Sequence, residues 1–316
     1  MKIVCLDGYT SNPGDISWAP VEQFGELTVY DRTDPEDTAE RCMDADIVIT
    51  NKTVMTREIM SALPKLKFIT FLATGTNSVD LKAAADLGIV VSNAPDYSTV
   101  TVAQTTFALL LELCINVGVH SQIVKSGEWT RSKHFSFQNT PLFELYVKTL
   151  GIIGYGAIGH EVRKIAKAFG MNILIHSRTR KPDIEDSEWC SLEELLANSD
   201  VVTIHCPLTE SNAKMINKDT IALMKDGAFL INTARGGLLD EQAVADALNS
   251  EKLAGVAVDV LSQEPPVDPN PLITAKNCFI TPHIAWATKD ARTRLIQIQG
   301  DNIKAFLDGK PINKVN

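Results

Sequence analysis

The stretch TLGIIGYGAIGHEV, residues 149–162, decides the fold. It opens as a short apolar run, passes through Gly154, Gly156 and Gly159, and continues with apolar residues at helical spacing. A strand that turns into a helix through G-x-G-x-x-G is the sequence signature of a dinucleotide cradle. Gly154 permits the tight turn, Gly156 lets the backbone approach a pyrophosphate, and Gly159 lets helix and strand pack closely. The helix N-terminus then offers unpaired N–H groups and partial positive charge to phosphates.

The context supports this reading. After Thr149, the runs TLGIIG, NILIHS, VVTIHC, AFLINTA, GVAVDV and CFITPH are six strand candidates, with helical patterns between most of them. That is a complete dinucleotide-binding sheet. Before it, KIVCLD, ADIVIT, KFITFLA and IVVSN read as buried strands, with helical stretches such as REIMSAL and VDLKAAADLG between them. The alternation predicts an α/β fold built on parallel sheets. A long helix is expected from about Thr99 to Ser126, followed by an irregular aromatic and polar arm, and a last helix from about Thr288 to Asp308. QEPPVDPNP is short and reads as a loop.

Bulk properties bound the function. The chain has 316 residues, 45% of them hydrophobic, and a formal charge of -9. The acidic balance argues against nucleic acid, whose phosphates need clustered Lys and Arg. No apolar run approaches the roughly 20 residues that span a bilayer, and the N-terminus does not read as a signal peptide. Neither a nucleic-acid nor a membrane partner is expected. The six cysteines are scattered and form no CxxC, so reduced thiols, a cytoplasmic location and no metal site are expected.

The end of the second strand bears on the choice between NAD and NADP. An NAD site usually has Asp or Glu there, bonded to the ribose hydroxyls. Here the position carries Ser177, with Arg178 and Arg180 after it. A hydroxyl and guanidinium groups suit a 2'-phosphate that a carboxylate would repel. NADP is therefore favoured over NAD, the alternative being that the arginines form a solvated turn.

Three stretches at strand ends carry chemistry: INTARGGLLD with Arg235, DVLSQEPP with Glu264, and ITPHIAWAT with His283. Together they suit reduction of a 2-oxo acid. Arg235 can grip the carboxylate through a bidentate fork and polarise the carbonyl. His283 can give its proton to the carbonyl oxygen as hydride arrives. Glu264 can bond the other ring nitrogen, fixing the tautomer and holding the ring protonated.

The glycine motif followed by Arg235, Glu264 and His283 resembles the D-isomer-specific 2-hydroxyacid dehydrogenase family over nearly the whole chain. LATGTNSVD (72–80), VAQTTFALLLEL (102–113), TPHIAWAT (281–288), TNKT (50–53) and Trp286 after HIA are similar to its glycerate dehydrogenase, or hydroxypyruvate reductase, branch. The resemblance implies two Rossmann-like domains with parallel sheets and an active site in the interdomain cleft. Residues 1–97 plus 288–316 would bind substrate and 98–287 the dinucleotide. It implies that Thr74 and Gly75 take the substrate carboxylate, with Thr74 also near the nicotinamide, while Lys52 either reaches the substrate or is an ordinary surface lysine. Ala157 and Ile158 match pyrophosphate contacts. Cys206, Pro207, Thr233, Ala234, Asp259 and Ala285 match positions lining the cofactor, which Arg235 and His283 also touch. A homodimer through the 99–140 region is implied. Thr76 departs from the aromatic residue of many relatives, and ELYVKTLG from the usual small residue and glycine before the lysine. The resemblance points to hydroxypyruvate reduced to D-glycerate, with glyoxylate to glycolate as a side activity. Another D-2-hydroxyacid dehydrogenase, such as a D-lactate type, and a dinucleotide-gated binding protein of corepressor type are the alternatives.

Overall fold

The computed structural model describes residues 1–267 and 269–316. The chain forms two compact units, Met1–Ser98 with Trp286–Asn316, and Thr99–Ala285. Each is built on its own sheet.

In the first unit, β1 (Lys2–Cys5), β2 (Glu26–Val29), β3 (Ile47–Thr50), β4 (Phe68–Phe71) and β5 (Val90–Ser92) form one sheet in the order β2-β1-β3-β4-β5. All its pairings are parallel. Every residue of β3 and β4 is buried. This is why they read as unbroken apolar runs, as strands covered on both faces do. β2 is not among the sequence expectations. It is an edge strand whose residues are largely exposed, so ELTV has no apolar run to betray it.

The helix Lys289–Leu307 belongs to this unit although the whole of the second unit precedes it in the chain. Phe306 stacks on Phe68 at 4.5 Å between centroids. A buried polar network also ties this helix to the sheet. Thr70 donates to Gln299 Oε1 (2.8 Å), and Gln299 Nε2 donates to the Phe71 carbonyl (2.9 Å). Asn302 Nδ2 donates to Thr70 Oγ1 (3.1 Å) and the Asn93 carbonyl (2.9 Å), while Asn313 donates to Asn302 Oδ1 (2.8 Å). At the start of the helix, Arg292 forks onto Asp15 at 2.7 and 2.9 Å. Trp286 meets Tyr97 edge-on, 6.2 Å between ring centres.

In the second unit, β6 (Thr149–Ile153), β7 (Asn172–His176), β8 (Val201–Ile204), β9 (Ala228–Asn232), β10 (Leu253–Val258) and β11 (Cys278–Ile280) coincide with the six expected runs. They form a parallel sheet in the order β11-β10-β9-β8-β6-β7. Beyond β7, Trp189 makes a single parallel bridge to Ile175, a remnant of a further strand. Strand order reverses at β6, whose neighbours are β7 and β8, so the ligand crevice of such a sheet lies beyond their C-terminal ends.

One expectation is corrected. Instead of a single helix from Thr99 to Ser126, there are two, Thr99–Ile115 and Val117–Lys125, bent by 56°. Asn116 between them sits in the left-handed region at φ 52°, a conformation that Asn tolerates. The Glu112 carboxylate accepts from the Gly118 amide at 3.1 Å and seals the break. Among the described residues no single helix is long and apolar enough to cross a membrane. The six cysteines are free, three of them buried and three half-buried.

The buried network predicts a stability effect. Asn302→Ala orphans the Asn93 carbonyl and takes one of two partners from the Thr70 hydroxyl, and should cost about 1–3 kcal/mol. Urea denaturation followed by circular dichroism measures it, and an unchanged midpoint would show that the network holds nothing.

Candidate active site

The glycine turn is built by close approach. Gly154 has φ +94°, and a Cβ placed there would lie 2.6 Å from the Cys206 amide nitrogen and 2.7 Å from the His205 carbonyl carbon. Only a residue without a side chain fits, because the turn after β6 rests directly on the backbone leaving β8. A Cβ on Gly159 would meet the Gly154 carbonyl oxygen at 2.4 Å. Helix Ala157–Ala168 is thereby drawn against the turn. Gly156 differs, since nothing lies within 4 Å of where its Cβ would be. It caps the helix with no side chain, leaving the first-turn amides of Ala157, Ile158 and Gly159 free of helical partners. An open glycine before unpaired amides fits a pyrophosphate. The His205 backbone lies against this turn, and burial pushes its ring down to about 3, so it is neutral. Its Nε2 shares a 2.9 Å hydrogen bond with Thr203 Oγ1.

At the end of β7, Ser177 is half-buried and Arg178 exposed. The Ser177 hydroxyl donates to the Thr179 carbonyl at 3.0 Å. Arg180 is committed elsewhere, paired with Asp186 and donating to the Ile184 carbonyl. Arg178 makes no ion pair among the described residues. The loop that follows is tied back to the glycine helix. The Tyr155 hydroxyl donates to Asp183 at 2.8 Å, and Glu188 accepts from Arg163 at 2.6 Å and from Lys167 at 2.8 Å. Burial and the Asp183 hydrogen bond push the Tyr155 hydroxyl up to about 12, so it stays protonated as a donor.

Three strand-end loops of the same unit carry Arg235, Glu264 and His283. His283 Nδ1 and Glu264 Oε2 are 2.6 Å apart. The second Glu264 oxygen accepts from the Leu261 amide at 3.0 Å, which fixes the carboxylate plane. With Nδ1 engaged, Nε2 is the ring nitrogen left for chemistry. His283 itself has φ +56°, a left-handed conformation that is rare for a residue with a side chain. Arg235 is exposed, and its Nη1 donates to the Ala234 carbonyl at 2.6 Å. Its loop abuts that of Glu264: a Cβ on Gly236 would overlap the Leu261 carbonyl carbon at 1.9 Å.

Two residues hold this arrangement, and their work is not visible in sequence. Asn232, fully buried at the end of β9, accepts from the Ala234 amide (3.0 Å) and donates to the Arg235 carbonyl (2.8 Å). Asp259, just past β10 and 1% exposed, accepts from the Thr281 hydroxyl (2.6 Å), the Ile284 amide (2.9 Å) and the Ala285 amide (2.8 Å). Burial pushes the Asp259 carboxyl up, while those three donors oppose the shift. Its oxygens thus clasp the loop on both sides of His283. Beyond the family resemblance, which matches Asp259 to a cofactor-lining position, a buried polar residue at a strand's C-terminal end is the only sequence signal either one offers.

The other expected residues are placed as follows. Thr233 is buried with its hydroxyl 3.1 Å from that of Thr106. Cys206 is half-buried, and the Pro207 carbonyl accepts from Asn212 at 2.8 Å. Ala285 is buried and Ala234 half-buried, whereas Ala157 is exposed and Ile158 half-buried. In the first unit, Thr74 donates to the Ala94 carbonyl at 2.8 Å, and its own carbonyl accepts from Asn93 at 2.7 Å. Gly75 is half-buried beside it, and Lys52 is exposed on the loop after β3.

The clasp has a measurable signature. Thr281→Val removes one of the three donors to Asp259 and should cost about 1 kcal/mol. Asp259→Ala orphans all of them and should cost about 3 kcal/mol or more. Calorimetric melting compares the two, and equal losses would mean that Asp259 does not hold the loop.

Comparison with known proteins adds to this geometry. The family model for the NAD binding domain of D-isomer specific 2-hydroxyacid dehydrogenases matches residues 107–285. A hydroxypyruvate reductase of Blautia hydrogenotrophica is 48% identical, with 100% of each chain covered. A glycerate dehydrogenase of Methylorubrum extorquens is 40% identical over 99% of this chain and 98% of that one. The crystal structure of the TT0316 protein from Thermus thermophilus superimposes with a TM-score of 0.89 at 34% identity, covering both chains fully.

Proposed function

The chain belongs to the D-isomer specific 2-hydroxyacid dehydrogenase family, and from that premise we propose that it reduces hydroxypyruvate to D-glycerate, with glyoxylate to glycolate as a side activity. The observation that carries the chemistry is the 2.6 Å contact between His283 and Glu264. With Nδ1 held by a carboxylate, Nε2 can carry the proton that the carbonyl oxygen needs. The bound dinucleotide supplies hydride to the carbonyl carbon. Arg235 holds the substrate carboxylate through its guanidinium fork. Thr74, Gly75 and Lys52 are assigned to substrate binding as well, as the family resemblance implies. The choice of hydroxypyruvate is supported by the 48% identity to a hydroxypyruvate reductase.

Gly154, Gly156, Ala157, Ile158 and Gly159 would hold the dinucleotide, and Cys206, Pro207, Thr233, Ala234, Asp259 and Ala285 would line the rest of its site. NADP is the preferred form. Ser177 puts no carboxylate at the end of β7, and among the described residues Arg178 makes no ion pair where Arg180 does. The enzyme works in the cytoplasm as a homodimer through the 99–140 region, without nucleic-acid or membrane partners. Support for the dimer comes from apolar side chains left uncovered on that arm, with Phe135 at 89% exposure and Val117 and Trp129 at 59% and 50%.

The test is a steady-state assay at 340 nm with NADPH and NADH against hydroxypyruvate, glyoxylate and pyruvate. The highest kcat/KM is expected for hydroxypyruvate with NADPH, and a preference for pyruvate would move the chain to a D-lactate type. Arg178→Asp should raise the KM for NADPH about tenfold or more, the worth of a charged hydrogen bond turned repulsive. The KM for NADH should move far less, and equal effects on the two would remove Arg178 from the phosphate.

A further inference from the structure

Asp7 stands at the C-terminal end of β1, in the unit that does not contain His283. Its carboxylate receives three successive backbone amides from the loop after β3: Asn51 on Oδ1 at 2.8 Å, and Lys52 and Thr53 on Oδ2 at 2.5 and 2.8 Å. One charged group thus takes every N–H of the segment that carries Lys52. The same segment is closed on its other side. The Thr50 hydroxyl donates to the Thr53 carbonyl at 3.0 Å, and the Ser78 hydroxyl to the Asn51 carbonyl at 3.0 Å. Met55 then pairs with Val79 as an isolated parallel bridge, its amide donating to the Ser78 carbonyl at 2.7 Å. Residues 78 and 79 directly follow the Thr74–Asn77 loop, so the Lys52 loop and the Thr74–Gly75 loop are fastened to each other at one end of one sheet.

The chemistry of the fastened pair is lopsided. Asp7 is spent on backbone amides, and among the described residues its charge is not paired to a cation. Lys52 has an exposed side chain and makes no ion pair among the described residues. A compact ammonium on a rigid loop is suited to a hydroxyl or an anionic group, and is poorly suited to an alkyl chain.

We infer that Asp7 is a positioning residue. By gathering the amides of Asn51–Thr53 it holds the Lys52 ammonium beside the Thr74–Gly75 loop, where it selects 2-oxo acids with a hydroxyl or anionic group on C3 over those with an alkyl C3. The inference rests on the proposed reaction for its substrate, but not for the loop geometry.

The experiment compares the full-length wild type with Asp7→Asn, Lys52→Met and the double variant, on hydroxypyruvate and 2-oxobutyrate with NADPH. An Asn amide group keeps the shape but has one acceptor oxygen, so its NH2 must face either the Asn51 amide or the amides of Lys52 and Thr53 and cannot accept from them. Asp7→Asn should raise the KM for hydroxypyruvate about tenfold, the worth of one charged hydrogen bond, with kcat within about twofold. Lys52→Met should lower the kcat/KM ratio of hydroxypyruvate to 2-oxobutyrate about tenfold. The double variant should be no worse than Lys52→Met alone, because the two act through one loop. Additive losses, or Asp7→Asn lowering kcat on both substrates equally, would overturn the inference. Amide exchange gives a readout independent of turnover: Asp7→Asn should speed exchange at Asn51, Lys52 and Thr53, and unchanged exchange there would also overturn it. A wild type that reduces no 2-oxo acid while the exchange effect appears would instead sink the proposed reaction and leave the positioning role of Asp7 intact.

Discussion

The cofactor unit depends on one steric constraint, the contact of the Gly154 α-carbon with the backbone of His205 and Cys206. The turn after β6 can rest on the exit of β8 only if position 154 has no side chain. That contact sets where helix Ala157–Ala168 begins, and Gly159 against the Gly154 carbonyl sets how close the helix lies. The free amides at the helix start and the open face of Gly156 follow from these two contacts. Together they give the six-stranded sheet a cradle at its switch point.

A second theme is the use of one buried or half-buried polar side chain at a strand's C-terminal end to gather the loop that follows. Asn232 after β9 holds the Arg235 segment, and Asp259 after β10 clasps the loop of His283. Asp7 after β1 does the same for the Lys52 loop of the other unit. A carboxylate that accepts several backbone N–H groups makes a loop nearly as rigid as the sheet beneath it. Rigid loops keep reactive groups placed without adding secondary structure around them.

Much of this architecture was legible in the sequence, for physical reasons. Strands buried on both faces are apolar throughout, so TLGIIG, VVTIHC, AFLINTA and GVAVDV marked the inner strands of the second sheet, while the edge strands β7 and β11 kept enough apolar residues in NILIHS and CFITPH to be read as well. β2 escaped notice because an edge strand with exposed residues has no apolar run. The break at Asn116 was hidden because apolar spacing continues across it, while the Glu112 bond to the Gly118 amide is a side-chain event. The residue types at positions 235, 264 and 283 announced a chemistry. The groups that hold them did not, since the bonds from Asp259 to the 281–285 loop span more than 20 positions and leave no local pattern. Arg178 and Arg180 read alike in sequence, and only the ion pair with Asp186 separates them.

Proton delivery by a histidine that Glu264 orients in a dinucleotide-binding unit is the central step. Its most direct test is a single turnover. The wild type and His283→Ala are each loaded with NADPH and mixed rapidly with hydroxypyruvate, and bound cofactor is followed at 340 nm. Oxidation should be rapid in the wild type and about 10²-fold or more slower in the variant, with the same amount of NADPH bound at the start. Equal rates in the two proteins would contradict it.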